Sequence, residues 1–284
     1  MTWLLYASII LFTACSKKEA PPPPLGQEAR LSNVIYGPHA RNKMDVYLPA
    51  NRSAETPFVV LVHGGAWMAG NKEDMKGFQE LLLERGIGSV SLSYRYASAS
   101  VHYGELMEDV HKAVTMCSGY AAAWGIRSRN YVICGASAGA HMALLYGYKY
   151  DQQQLITGII SLSGPTDLTD LTMLNYAASV GLGPAIFNVT GATYVPNQPL
   201  APQFAAASPV KQARNIPSLL IHGTADAVVL YSQSEIMADK LEELAVPYRL
   251  VAIDGEGHDL GLYKPEIFTI IETEIINWIR QYGQ

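Results

Sequence analysis

Three residue types placed far apart in this chain could together carry out acyl transfer. Gly135-Ala136-Ser137-Ala138-Gly139 has the form Gly-x-Ser-x-Gly. A serine hydroxyl is a poor nucleophile by itself; it needs a base, and the base needs an acid to orient it. Downstream, "SLLIHGTADAVV" carries Asp226 and "LVAIDGEGHDL" carries His258. Each lies just past an apolar run, and the chain order serine, acid, histidine is that of one known arrangement of such triads. Ser137 is the expected nucleophile, His258 the base and Asp226 the acid. Asp254 is the second choice for the acid, because it and Asp259 stand very close to His258 in sequence. His222 closes its apolar run before Gly223 and reads as a hydrogen-bonded packing residue. His141 falls one helical turn after Ser137 and should point along its helix.

Such chemistry also needs donors for the oxygen on which negative charge develops. "FVVLVHGGAW" ends in His63-Gly64-Gly65-Ala66-Trp67. Glycines let a backbone approach a substrate oxygen without side chains in the way. The amides of Gly65 and Ala66, with that of Ala138, are the expected donors. His63 holds the loop. Trp67 reads equally as a wall of the substrate pocket and as a buried packing residue.

These groups require elements that bring them to one place. "MDVYLP", "FVVLVHG", "GSVSLSY", "YVICG", "GIISLSG", "SLLIHG" and "YRLVAID" read as strands. Most are rich in Val, Ile and Leu without alternation, as in a parallel sheet buried on both faces. Helical patterns separate them: "MKGFQELLLERG", "GELMEDVHKAVTMCSGYAAAW", "AHMALLYGYKY", "SQSEIMADKLEELA" and "EIFTIIETEIINWIRQYG". The alternation predicts a doubly wound α/β sheet. "MDVYLP" and the run before it read as an N-terminal hairpin. Ser137 then sits on a strand-to-helix turn, at the positive end of the following helix. Residues 164–209 break the rhythm with Gly164-Pro165, Gly181, Gly183-Pro184, Gly191, Pro196, Pro199 and Pro202. A long insertion in a compact domain is usually functional or disordered, and this one is apolar enough to form a small cap.

Over most of residues 31–284 the pattern resembles the α/β-hydrolase family. "MDVYLP" followed by "HGGAW" resembles carboxylesterases of the hormone-sensitive-lipase type. It is closer still to bacterial feruloyl and acetyl-xylan esterases and to kynurenine formamidases with a His-Gly-Gly-x-Trp loop. The resemblance implies an eight-stranded, mostly parallel sheet with helices on both faces, a Ser137–Asp226–His258 triad, and hydrolysis of small-acyl esters, including acylated carbohydrate. It implies no cofactor and no metal. Ala66 replaces a frequent third glycine and "DAVVL" lacks a frequent proline; both bear on substrate preference. An arylformamidase, a small peptidase and a non-catalytic binding protein remain the alternatives.

A net charge of −5 and the lack of a basic stripe argue against nucleic acid as a partner. The three cysteines, Cys15, Cys117 and Cys134, make no disulfide framework, and no Cys/His spacing suits a metal. "TWLLYASIILFTAC" is shorter than the roughly 20 residues of a membrane span and has the length of a secretory apolar region. "LFTAC" resembles a bacterial lipobox, so residues 1–15 read as a lipoprotein signal with Cys15 lipidated, followed by a proline-rich linker over 16–30. The expected location is outside the cytoplasm, anchored to a membrane through the lipid.

Overall fold

The computed structural model describes residues 23–284. The signal segment and Cys15 lie outside the described residues. The strands are β1 (Ala29–Ile35), β2 (Lys43–Leu48), β3 (Phe58–Val62), β4 (Gly88–Ser93), β5 (Tyr131–Ala136), β6 (Ile156–Leu162), β7 (Ser218–Gly223) and β8 (Tyr248–Ile253). The helices are α1 (Lys76–Glu84), α2 (Tyr103–Gly119), α3 (Ala121–Trp124), α4 (Ala138–Leu145), α5 (Leu171–Ser179), α6 (Gly183–Thr190), α7 (Pro202–Ala206), α8 (Ser232–Glu243) and α9 (Pro265–Tyr282).

The eight strands form one sheet in the order β1-β2-β4-β3-β5-β6-β7-β8. β1 pairs antiparallel with β2, and β2 antiparallel with β4. Every later pairing is parallel. Successive residues of β3 face opposite sides: Val60 and Val62 join one apolar cluster with α2, α4 and α8, while Val59 and Leu61 join another with α1 and α9. Burial on both faces is why the central strands show apolar runs instead of alternation.

Three local features differ from the sequence reading. The expected linker over 16–30 ends inside β1, which begins at Ala29, and the carbonyls of Pro23, Pro24 and Gln27 accept from the buried Arg52 guanidinium. A guanidinium offers five donors, so it can gather several carbonyls that no regular element satisfies. The helix expected over 104–124 divides at Tyr120 into α2 and α3. The helix after Ser137 changes to a π-helical turn over Tyr146–Tyr150. Gly147 in that turn lies against the Ile159 side chain, where a Cβ would come within 2.7 Å of a methyl carbon.

Within residues 164–209, Asp170 caps α5 by accepting from the amides of Thr172 and Met173. Pro184 occupies the first turn of α6, and Gly191 ends that helix with φ of 71°. Both are ordinary start and stop chemistry.

Candidate active site

β5 ends at Ala136, α4 begins at Ala138, and Ser137 is the single residue between them, with φ of 53° and ψ of −119°. Non-glycine residues rarely adopt that region, and strain there is held in place by surrounding contacts. Those contacts are backbone ones. The Ser137 amide donates to the Leu162 carbonyl at 2.7 Å, and its carbonyl accepts from the amides of Ala140 and His141. A Cβ at Gly135 would overlap the Gly139 carbonyl, and one at Gly139 would overlap the Val62 carbonyl. The two glycines of the pentapeptide are therefore required by close approach of backbone to backbone.

Beyond β7, Asp226 is buried; beyond β8, His258 is partly exposed. The Ser137 hydroxyl donates to His258 Nε2 at 2.9 Å, and His258 Nδ1 donates to Asp226 Oδ2 at 2.7 Å. The amides of Val228 and Val229 donate to Asp226 Oδ1 at 2.8 and 3.0 Å. Burial by itself would raise the Asp226 carboxyl. Hydrogen bonds from His222, His258 and the two amides outweigh it and hold the group well below the usual carboxylate range. Asp226 is therefore an anion beside His258 across the neutral and mildly acidic range. Asp254 instead accepts from the exposed Thr224 hydroxyl at 3.2 Å, and Asp259 from the Gly261 amide.

The loop after β3 brings its backbone alongside Ser137. A Cβ on Gly64 would lie 3.0 Å from the Ala136 carbonyl and 3.3 Å from Ser137 Cβ. Gly65, Ala66 and Trp67 all have positive φ, at 107°, 48° and 61°. The Gly65 carbonyl is used by the amides of Met68 and Ala69, whereas the amides of Gly65, Ala66 and Ala138 have no backbone acceptor among the described residues. Ala138 is the first residue of α4, so its amide lacks an intrahelical partner by construction. His63 packs parallel to the Tyr94 ring at 4.2 Å and donates from Nδ1 to the Gly64 carbonyl. Burial lowers it from 6.5 to about 4, so it is neutral.

Trp67 is buried and lies between α4 and the slot. Its indole N–H donates to His141 Nδ1 at 3.2 Å, and the ring also lines the slot beside Ser137. His141 Nε2 donates to the Ala207 carbonyl at 2.8 Å; burial lowers this histidine too to about 4. The slot has a free volume of about 50 Å³. Ala66 and Trp67 form one wall, α5 and α6 the roof through Met173, Tyr176 and Ile186, and Val228 and Val229 the side next to the acid.

His222 is buried and hydrogen-bonded as expected, and one of its partners, Asp226, is a contact the sequence does not signal. Its Nε2 lies 3.1 Å from Asp226 Oδ2 and 2.9 Å from the Val229 carbonyl, and its Nδ1 lies 2.7 Å from Ser234 Oγ. The sequence offers only a histidine at the end of its strand, four residues ahead of the acid. Among the described residues no cluster of His, Cys, Asp and Glu could hold a metal ion, and no helix is long and apolar enough to cross a membrane.

The BD-FAE family model matches residues 44–241. An isoprenylcysteine alpha-carbonyl methylesterase of Arabidopsis thaliana is 29% identical over 252 residues, covering 82% of this chain and 57% of the relative. A kynurenine formamidase of Danio rerio is 30% identical over 142 residues, covering 49% of this chain and 47% of the relative. The chain thus spans about half the length of these curated relatives. Among solved structures, a truncated carbohydrate esterase from gut microbiota superposes with a TM-score of 0.71 at 18% identity, covering 92% of this chain and all of that one. That likeness is one of fold, and the fold is that of the α/β hydrolases.

Proposed function

This chain belongs to the BD-FAE family, and from that premise we propose that it is a carboxylic ester hydrolase working through an acyl-serine on Ser137. The observation that carries the reading is the continuous line Ser137 Oγ, His258, Asp226, at 2.9 and 2.7 Å, beside amides with no backbone partner among the described residues. His258 takes the Ser137 proton as Oγ bonds to the ester carbonyl carbon. The imidazolium faces ionised Asp226, and the amides of Gly65, Ala66 and Ala138 meet the oxyanion. His258 returns the proton to the leaving alcohol as the C–O bond breaks. Water then repeats the sequence and releases the acid.

The slot supports a short aliphatic acyl group. The slot is narrow and its walls are almost wholly apolar, which favours an acyl chain of acetyl to butyryl size over an aromatic one such as feruloyl. The preferred substrate is therefore a short-acyl ester, with an acetylated carbohydrate as the natural candidate. Amide cleavage of an N-formyl arene is the second reading, motivated by the formamidase relative. Ser137→Ala decides the chemistry: activity on p-nitrophenyl acetate should fall by about a millionfold with the fold retained. Loss below tenfold would remove Ser137 from its role. Assaying acetyl-xylan, methyl ferulate and N-formylkynurenine side by side ranks the substrates.

The lipidated Cys15 is likewise part of the proposal, resting on "LFTAC" alone. Mass spectrometry of protein from a bacterial membrane fraction should find acyl chains on residue 15. A mature N-terminus elsewhere would end that reading and leave the hydrolase reading intact.

A further inference from the structure

His222 is fully buried and takes part in no step of the mechanism above, yet it touches the acid directly. Its Nε2 faces the Asp226 carboxylate and the Val229 carbonyl, both acceptors, so that nitrogen carries the hydrogen. Its Nδ1 faces the hydroxyl of buried Ser234, in the first turn of α8, which can donate to it. Tyr231 stands edge-on to the ring at 5.7 Å. The imidazole therefore has one tautomer and one orientation that satisfy every neighbour.

The carboxylate is equally constrained. Each oxygen of a carboxylate can accept about two hydrogen bonds. Oδ1 receives the amides of Val228 and Val229; Oδ2 receives two imidazole N–H groups, from His258 and from His222. The acid is thus clamped from two elements, and the oxygen that orients the base shares its charge between two histidines. On the loop after β8, Glu256 is paired with Lys264, Asp254 with Thr224 and Asp259 with the Gly261 amide. His258 and His222 are the titratable groups bonded to Asp226.

We infer that His222 is a positioning residue for this hydrolase: it fixes Asp226 Oδ2 opposite His258 and tempers the charge that this oxygen presents to the base. The inference rests on the triad reading above and deepens it. Without the His222 N–H, Oδ2 would hold more charge for His258 alone and would lose one of its two tethers. The base would then be protonated at higher pH and would be less well aligned with Ser137.

The test is the pH dependence of kcat and KM on p-nitrophenyl acetate for wild type, His222→Phe, His222→Gln and Ser234→Ala. His222→Phe should lower kcat about 10- to 100-fold, leave KM within about threefold, and move the acidic limb up by roughly half a pH unit. His222→Gln, whose side-chain amide can reach the same oxygen, should recover most of both. Ser234→Ala, which removes only the second tether of the ring, should show the same two changes at smaller size. A packing role would lower the melting temperature and leave the limb in place, so an unmoved limb with kcat within about threefold of wild type overturns the inference. If His222→Phe fails to fold, an unchanged profile in Ser234→Ala together with inactive His222→Gln overturns it equally. If Ser137→Ala is inactive while the His222 and Ser234 variants are silent, this inference alone fails; if Ser137→Ala is active, the triad reading fails first.

Discussion

The slot beside Ser137 has two sides built by opposite rules. On the sheet side, backbone meets backbone: Gly135 lies against Gly139, Gly139 against Val62, and Gly64 against Ala136. Non-glycine residues Ala66, Trp67 and Ser137 are held at positive φ. On the side of α5 and α6, Gly181 and Gly183 have nothing within 4 Å of where a Cβ would stand. There the wall is made of side chains, and Leu171, Val180 and Phe187 remain exposed. Charge development must be met within a fraction of an ångström, which suits fixed backbone; acyl size can be set by side chains that change without disturbing the chemistry.

The largest effect expected on the sheet side is that of the acid. Asp226→Asn should keep the fold and reduce turnover by about 10⁴, since an amide cannot hold His258 in the tautomer that accepts from Ser137. Asp254→Asn should change turnover less than about threefold, because its carboxylate serves the exposed Thr224 hydroxyl. The reverse ranking would assign the acid to the wrong loop.

Next comes the contrast between glycines. Gly139→Ala forces a methyl into the Val62 carbonyl, so the turn must shift; we expect a loss of about 3 kcal/mol or more in urea unfolding, with activity lost as well. Gly183→Ala, at the start of α6 with only its neighbour Pro184 to crowd a new methyl, should cost no more than about 1 kcal/mol. Equal tolerance at both positions would erase the distinction between the two sides.

That distinction also explains what could be read from the sequence. The elbow was legible because its constraints are local: a β-branched strand, a small-residue turn and a helix lie within about fifteen residues, and Gly135 and Gly139 mark the contacts. The meeting of Asp226 and His258 was legible because each follows a strand of a parallel sheet, and such strands end on one edge. The link from His222 to Asp226 was not, since a histidine at a strand end is equally suited to packing. The division at Tyr120 and the π-helical turn at Tyr146–Tyr150 escaped too. The apolar spacing runs through both, and it is packing, such as Ile159 against Gly147, that decides the backbone. Within 164–209 the proline, glycine and apolar positions implied a small cap, but not that its helices α5 and α6 are the ones lining the slot.

Acid should strike the sheet side first. His63 and His141 are fully buried and lowered from 6.5 to about 4 by burial, and both brace the loop after β3 or the helix after Ser137. Between those values the unfolded chain binds protons that the native state does not, so stability rises with pH across the window and is lost as pH falls from about 6.5 toward 4. Each histidine contributes about 3 kcal/mol to that loss. The depressed Asp226 carboxyl acts below it: its contribution is present above the unfolded carboxylate value near 3.9 and disappears as pH falls through the lower native one. Urea unfolding at pH 7, 5.5 and 4.5 should show a steep decline, and His141→Gln should flatten it. A flat wild-type profile would mean that these histidines take protons without unfolding.

The smallest effect expected belongs to the cap. The Tyr176 hydroxyl, on α5, donates to the Ala227 carbonyl in the acid loop at 2.7 Å, at the exposed edge of the slot. The Tyr176 ring also lines the slot. Tyr176→Phe keeps the ring and removes the tether between cap and acid loop. An exposed hydrogen bond of this kind contributes about 1 kcal/mol or less, so the roof should open more often without losing its apolar surface. kcat/KM on the acetyl ester should stay within about twofold, while the hexanoyl-to-acetyl ratio should rise by roughly three- to fivefold. Met173→Ala, which removes apolar atoms from the same roof, should move the ratio the same way by enlarging the slot itself. Urea unfolding separates the two: Tyr176→Phe should be nearly silent, whereas Met173→Ala should cost about 2 kcal/mol or more for a buried methionine. If neither substitution changes the ratio while Ala66 or Trp67 variants do, acyl size is set by the sheet side, and the division between fixed chemistry and variable specificity does not hold for this protein.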